Sequence, residues 1–414
     1  VFTIITVILC IIGYLGVVNY YIIKFGVKRL KKRRIKSKQN TVTEQRFEYN
    51  KSLIDLPFLI IVVILLFAGL IVMFSASHAN AFYRYGDSFY FIKKQFGFAI
   101  IGLIAMAVTT KIVTPKLLYR FAMPVLYVSL FLLALVPIIG TKINDAKRWI
   151  YIGPVSIQPS EIAKIGVILS FAYLISKNQR RMKTFTYGIL PYGIILAIIA
   201  GLLYLQPHIS ATVITIGIGA IMMIVGGCNF GWLLGFGVVA VIGLVGIILG
   251  TGHGMTRIKV WLDPFVDPLN KGFQTIQSLY AVGSGGLFGL GLGKSRQKYL
   301  YIPEPQNDFV FAIAAEELGF VGAVIIVLLF ALLIWRGFVI ALRAPDKFTA
   351  LVIVGLTSKV ALQSLLNIAV VINLVPNTGI SLPFFSYGGT ALTLQLIEMG
   401  IVLALSKYSR VSKS

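Results

Sequence analysis

Long apolar runs broken by short polar ones set the pattern of this chain. Stretches of membrane-spanning length, about 20 residues each, fall at 1–23, 54–77, 94–110, 117–139, 160–176, 187–204, 211–226, 231–250, 309–336, 348–372 and 388–406. Runs of this length predict an all-α polytopic membrane protein rather than a soluble core. The polar breaks fall into two classes. "KFGVKRLKKRRIKSK" (24–38), "KNQRRMK" (177–183), "WRGFVIALRAPDK" (335–347) and the tail "KYSRVSKS" are dense in Lys and Arg, which predicts that they are cytoplasmic. Alternating spans put all four on one side, a condition the assignment was free to fail. The other side then holds 78–93, 140–159, 251–307 and 373–387.

The first run is followed, not preceded, by the densest basic stretch, which is the wrong order for a cleaved signal peptide. It is expected to be a retained extra helix (1–23) with its N-terminus outside, joined by a basic cytoplasmic linker (24–52) to a transmembrane domain (53–409) and a short tail (410–414). No repeat of solenoid type is visible.

Composition supports the membrane reading: 57% of the 414 residues are hydrophobic and 13% charged. The formal charge of +24, from 38 Lys+Arg against 14 Asp+Glu, fits cytoplasmic loops better than nucleic-acid binding. Cys10 and Cys228 both lie in apolar runs, and His78, His208 and His253 show no ligand spacing, so neither a disulfide framework nor a structural metal is indicated.

Candidate chemistry lies in the outer segments. Segment 251–307 carries Arg257, Lys259, Lys271, Lys294, Arg296 and Lys298 against Asp263, Asp267 and Glu304. Long loops escape the positive-inside rule, so this excess can be incidental, or it can receive an anionic ligand, with Lys147 and Arg148 of "DAKRWIYIGP" adding cations suited to phosphate. Trp149 beside them is an interface anchor on one reading and a platform for a sugar face on the other. "AVGSGGLFGLGLGKS" (281–295) is not a nucleotide-binding loop, because the G-x-x-x-x-G-K-S pattern needs glycine where Phe288 stands. Its glycines suit a bent or re-entrant segment that is buried in protein or lines a wet cavity.

Two acidic positions stand out. Glu161 and Lys164 of "QPSEIAK" are three apart on one helical face, at the start of a span. They serve either a helix start or a ligand inside the bundle. Asp308 follows Pro303 and Pro305 at a helix mouth, where a helix cap and a functional acid are both open. Counted at 100° per residue, Asp308, Ala312, Ala315, Gly319 and Gly322 share a stripe of small residues that would aim the acid into the bundle.

In order, "AKRWIYIGPVSIQPSEIAK", "QSLYAVGSGGLFGLGLGKSRQKYLYIPEPQNDFVFAIAAEELGFVGA" and "NLVPNTGISLPFFSYGGT" resemble the SEDS family of shape, elongation, division and sporulation proteins across about 52–409, and within it the division branch more than the elongation branch. The resemblance implies a ten-helix membrane glycosyltransferase, here with one extra N-terminal helix and a long extracytoplasmic loop. It implies polymerisation of lipid II outside the cytoplasmic membrane, alongside a class B penicillin-binding protein and other division proteins. It places the family's catalytic acid on Asp308, its "RW" motif on Arg148 and Trp149, and its intramembrane pair on Glu161 and Lys164. Lys147, Gln277, Ser278, Lys294, Arg296 and Lys298 join these as substrate-binding candidates. A divalent cation, Mg or Mn, would share phosphate charge in such a family, although no cluster in the sequence demands one. One departure is "QPHISA" (206–211), where many members carry "QPDxGT". A lipid II flippase and a division scaffold are the rival functions.

Overall fold

In the computed structural model, the described residues are 53–143, 146–153, 155–250, 258–270 and 272–408. The expected N-terminal helix (1–23), its linker, the tail, Arg257 and Lys271 lie outside them.

Ten apolar helices account for the spans expected between 54 and 406. They are α1 (Leu56–Tyr85), α2 (Tyr90–Ile112), α3 (Pro115–Ile139), α4 (Pro159–Lys177), α5 (Leu190–Tyr204), α6 (Ile209–Gly226), α7 (Phe230–Gly250), α9 (Val310–Arg343), α10 (Lys347–Val371) and α11 (Gly389–Ser406). Eight are long and apolar enough to cross a membrane by length and composition; α5 is a shorter apolar helix, and α7 is 21 residues long. The protein is therefore a multi-pass helical membrane protein. Large apolar side chains such as Ile104, Phe121 and Phe131 stay exposed on the outside of the bundle, where lipid rather than water is the solvent.

Of the basic polar breaks, the described ones, 177–183 and 335–347, lie at one end of the bundle. There Asp55 caps α1 by accepting from the Phe58 N–H at 3.1 Å, grips Arg336 of α9 through two bonds of 2.8 Å, and donates its own N–H to Ser406 of α11 at 3.1 Å. Thr114 and Asp346 cap α3 and α10 at the same end, and proline in the first turn of α1 and α3 removes a donor that would have no partner. Between the spans, α11 packs against α2, α3 against α4, and α9 against both α1 and α10.

The opposite end departs from an all-α expectation. Segment 141–157 folds as an antiparallel sheet of β1 (Thr141–Ile143), β2 (Ala146–Ile152) and β3 (Val155–Ile157), with Thr141 opposite Trp149 and Tyr151 opposite Ser156. Trp, Tyr and Ile in β2 suit a half-buried pleat, and Gly153 at φ 61 makes the turn into β3. The described part of segment 251–307, residues 258–270 and 272–307, contains α8 (Phe273–Ser284), which packs on α9.

The small-residue stripe counted from Asp308 does not exist as a continuous helical face. Helix α9 starts at Val310, and Gly319 interrupts it with φ 68 and ψ −167, a conformation open essentially to glycine. The kink serves the glycine segment before it. Leu290 and Gly291 donate their N–H groups to the carbonyls of Glu316 and Glu317 at 3.0 and 2.9 Å, and Phe320 and Val321 donate back to Gly286 and Leu287. The segment is bent against protein, where its backbone groups find partners.

Candidate active site

Asp308 ends the loop that runs from Pro303 to the mouth of α9. Phe309, not Asp308, occupies the cap position of α9, and no side chain caps this helix. The Asp308 backbone carbonyl accepts from the Asn367 amide of α10 at 2.8 Å, and the same amide donates to Ile380 at 2.6 Å. One buried asparagine thus pins the acid's backbone against segment 378–380. Ser210 at the start of α6 bonds the Thr378 carbonyl and holds that segment from the other side. Gly379 is in the left-handed region at φ 68, and a Cβ there would stand 3.2 Å from Asp308 Oδ2, so glycine leaves room for the carboxylate.

Among the described residues, the Asp308 carboxylate has no hydrogen-bond or ion-pair partner. Burial raises its pKa to about 6, the Glu304 charge adds to the rise, and Arg148 opposes it. Glu304 is itself held by Arg84 of α1 at 2.9 Å and by Asn307 at 2.8 Å. Beside Asp308 opens a cleft of about 390 Å³ lined by Arg148, Ser210, Trp261, Thr275, Asn377 and Gly379. Arg148 reaches it from β2, with Nη2 on the Pro207 carbonyl at 2.5 Å.

The other sequence candidates divide. Lys147 is exposed and bonds the Pro137 carbonyl at 3.1 Å. Trp149 is half-buried on the opposite face of β2 from Arg148. Gln277 is half-buried on α8, and the buried Ser278 donates to the Val371 carbonyl at 2.8 Å. Lys294 and Arg296 are exposed, and neither is among the charges that act on Asp308. Lys298 is fully buried, with Nζ 2.8 Å from Glu317 and 3.3 Å from Ser75 of α1, so its charge is already committed inside the protein. Glu316 beside it accepts from the backbone N–H of Arg296 at 3.0 Å and from the Ser295 hydroxyl. These two acids fix the basic turn in place.

Glu161 and Lys164 belong to a buried quartet that the sequence reading saw only in half. Lys164 lies 2.6 Å from Glu161, Lys359 of α10 lies 3.1 Å from Glu161, and Lys359 lies 2.5 Å from Glu398 of α11. In the sequence, Lys359 and Glu398 each stand as a single charge within an apolar run. The signal was present, since a lone charge within a span needs a partner. Between quartet and cleft sits His208, the departure in "QPHISA". Burial first, then the charges of Arg148 and Lys164, lower its pKa to about 3, so the ring is neutral. Its Nε2 is 3.3 Å from the Gln158 amide.

Among the described residues no three of His, Cys, Asp and Glu come together as a metal cage. A magnesium ion that keeps its waters needs only one or two carboxylates plus phosphate oxygens. At this cleft such an ion would be held mainly by phosphate oxygens and its own waters, leaving the Asp308 carboxylate free, and would add neutralisation of phosphate charge.

The family described as "Cell cycle protein" (FTSW_RODA_SPOVE) matches residues 56–411. The chain is 44% identical to stage V sporulation protein E of Bacillus subtilis, over 86% of this chain and 98% of that one. It is 40% identical to the probable peptidoglycan glycosyltransferase FtsW of Trichlorobacter lovleyi, over 85% and 93%. Among solved structures, one described as "Structural coordination of polymerization and crosslinking by a peptidoglycan synthase complex" aligns with TM-score 0.72 at 28% identity, covering 85% of this chain and 97% of that chain. The rod shape determining protein RodA of Thermus thermophilus aligns with TM-score 0.64 at 26% identity, covering 89% and 100%.

Proposed function

The chain belongs to the cell cycle protein family of FtsW, RodA and stage V sporulation protein E, and from that membership we propose that it polymerises lipid II at the outer face of the cytoplasmic membrane, with Asp308 as general base. It is a peptidoglycan glycosyltransferase. The observation that carries the residue assignment is Asp308 itself: a carboxylate without a partner among the described residues, raised to about 6, beside a cleft that Arg148 enters.

The chemistry follows from that geometry. The acceptor sugar's 4-hydroxyl gives its proton to Asp308 as its oxygen bonds the donor's anomeric carbon. The bond from that carbon to the pyrophosphate oxygen breaks with inversion, and the lipid pyrophosphate leaves. Arg148 at the cleft wall is placed to meet the negative charge growing on that leaving group. A base with a pKa near 6 is a better proton acceptor than an ordinary carboxylate near 3.9 and is still ionised at neutral pH. The lipid tails remain among the helices, and the sugars lie at the mouth of α9.

A flippase would need a path past Glu161 and Lys164. Those charges are locked to Lys359 and Glu398 inside the bundle, which favours the polymerase. We place a class B penicillin-binding protein beside the chain as its cross-linking partner.

Purified protein with that partner and lipid II should form glycan strands. Single cysteines tested in a chain lacking Cys10 and Cys228 should react with an impermeant thiol reagent in intact cells at Lys294 and not at Lys183, both of which are exposed. Labelling at Lys183 alone would put the cleft on the cytoplasmic side and sink the proposed reaction site.

A further inference from the structure

We propose that the surface formed by Tyr85, Tyr90, Lys94, Tyr387 and the outward face of β2 is a binding track for the glycan strand already made; this rests on the polymerase reading above. Side chains alternate along β2, so Arg148 and Ile150 fall on one face and Lys147, Trp149 and Tyr151 on the other. Ile150 is buried, whereas Tyr151 is 50% exposed. The strand is thus a partition, with the cleft on the Arg148 side and an aromatic, cationic face behind it.

That face continues on neighbouring elements. The Tyr85 and Tyr90 rings stack with centroids 3.8 Å apart and a 12° tilt, Phe91 meets both edge-on, and Tyr387 meets Phe91 at 4.9 Å. Lys94 is exposed and fixed, with Nζ 2.6 Å from the Tyr90 hydroxyl and 4.1 Å from the ring centroid. Tyr151, Tyr85, Tyr90 and Lys94 all lie within electrostatic reach of the Tyr387 phenol.

The face is continuous with the loop that carries the base. The Tyr387 N–H donates to the Gln306 carbonyl at 2.8 Å, and Arg84, next to Tyr85, holds Glu304. Gln306 and Glu304 are two and four residues from Asp308. A polymerase must hold a chain and an incoming unit on two sides of one base, and the structure supplies two unlike surfaces there. Stacked rings offer flat apolar area with hydroxyl edges, which suits sugar rings. Fixed cations suit the carboxylates of peptide stems.

Aromatic rings at this height also occur as anchors in lipid headgroups, and the test separates the two. Tyr85→Ala, Tyr151→Ala and Lys94→Glu are combined in one protein and assayed in uncharged detergent, where no bilayer interface exists. The expected result is glycan strands shortened several-fold, with lipid II consumption reduced less than strand length. Phe121→Ala, at a lipid-facing ring, should alter neither. As a measure independent of the variants, lipid-free glycan strands added to wild-type protein should protect Lys94 from an amine-modifying reagent. Unchanged strand length, or an effect seen only in vesicles, would reduce the face to a membrane anchor, as would unprotected Lys94. If wild-type protein makes no strands, it is the polymerase reading that fails instead.

Discussion

Asp308→Asn is expected to yield a folded protein that binds its partner and polymerises lipid II about 10² to 10⁴ times more slowly than wild type, the range a general base usually contributes. The substitution keeps the side chain's shape. It breaks no cap, since α9 has no side-chain cap, and among the described residues the carboxylate has no partner that would be left unpaired. The Asn367 bond is to the backbone carbonyl and survives. What is removed is the ability to take a proton. Glycan formation by purified protein is the measurement, with thermal unfolding and partner binding alongside. A folded Asp308→Asn protein that polymerises near the wild-type rate would remove Asp308 from the mechanism.

The second large effect is on stability. In the quartet, Lys359 bridges two acids, Glu161 on α4 and Glu398 on α11. Lys359→Met would strip Glu398 of its cation in the bundle interior and leave Glu161 with Lys164 alone. Removing one member of a buried pair costs about 3 to 5 kcal/mol, because the remaining charge is neither solvated nor paired. Lys359→Met is therefore expected to melt far below wild type in detergent. Adding Glu398→Met should recover much of the loss, because the Glu161–Lys164 pair is then left neutral and apolar atoms replace the second pair. A single variant that melts with wild type, or a double variant no better than the single, would show that the quartet does not tie α4, α10 and α11 together.

The spans were legible because apolar length is a strong signal. Segment 54–77 lies in a helix of 30 residues and segment 309–336 in the 34 residues of α9, broken at Gly319, both extended where polar ends such as Arg84 and Arg343 continue the turn. The sheet at 141–157 was missed, since strands of three to seven residues leave no hydropathy trace. In "GKSRQK", Lys294, Arg296 and Lys298 read alike. Only the fold, which brings Glu317 to within 2.8 Å of Lys298, makes one of the three interior. The acid at 308 was legible as a helix-mouth residue, but its lack of a cap role is a matter of backbone conformation, and its closeness to Gly379 depends on segments 71 residues apart in sequence. Lys359 and Glu398 needed their partner helices to acquire meaning.

The pH dependence of polymerisation tests the central claim most directly, because it reads the proposed base while it works. With Asp308 raised to about 6 by burial and Glu304, the base is protonated and idle in acid. The initial rate should climb between roughly pH 5 and pH 7, with its midpoint near the Asp308 pKa. In Glu304→Gln the neighbouring negative charge is gone, so the midpoint should move to lower pH while the rate at neutral pH is largely retained. A wild-type rate that is flat across this interval, or a midpoint that stays put in Glu304→Gln, would contradict Asp308 as the base.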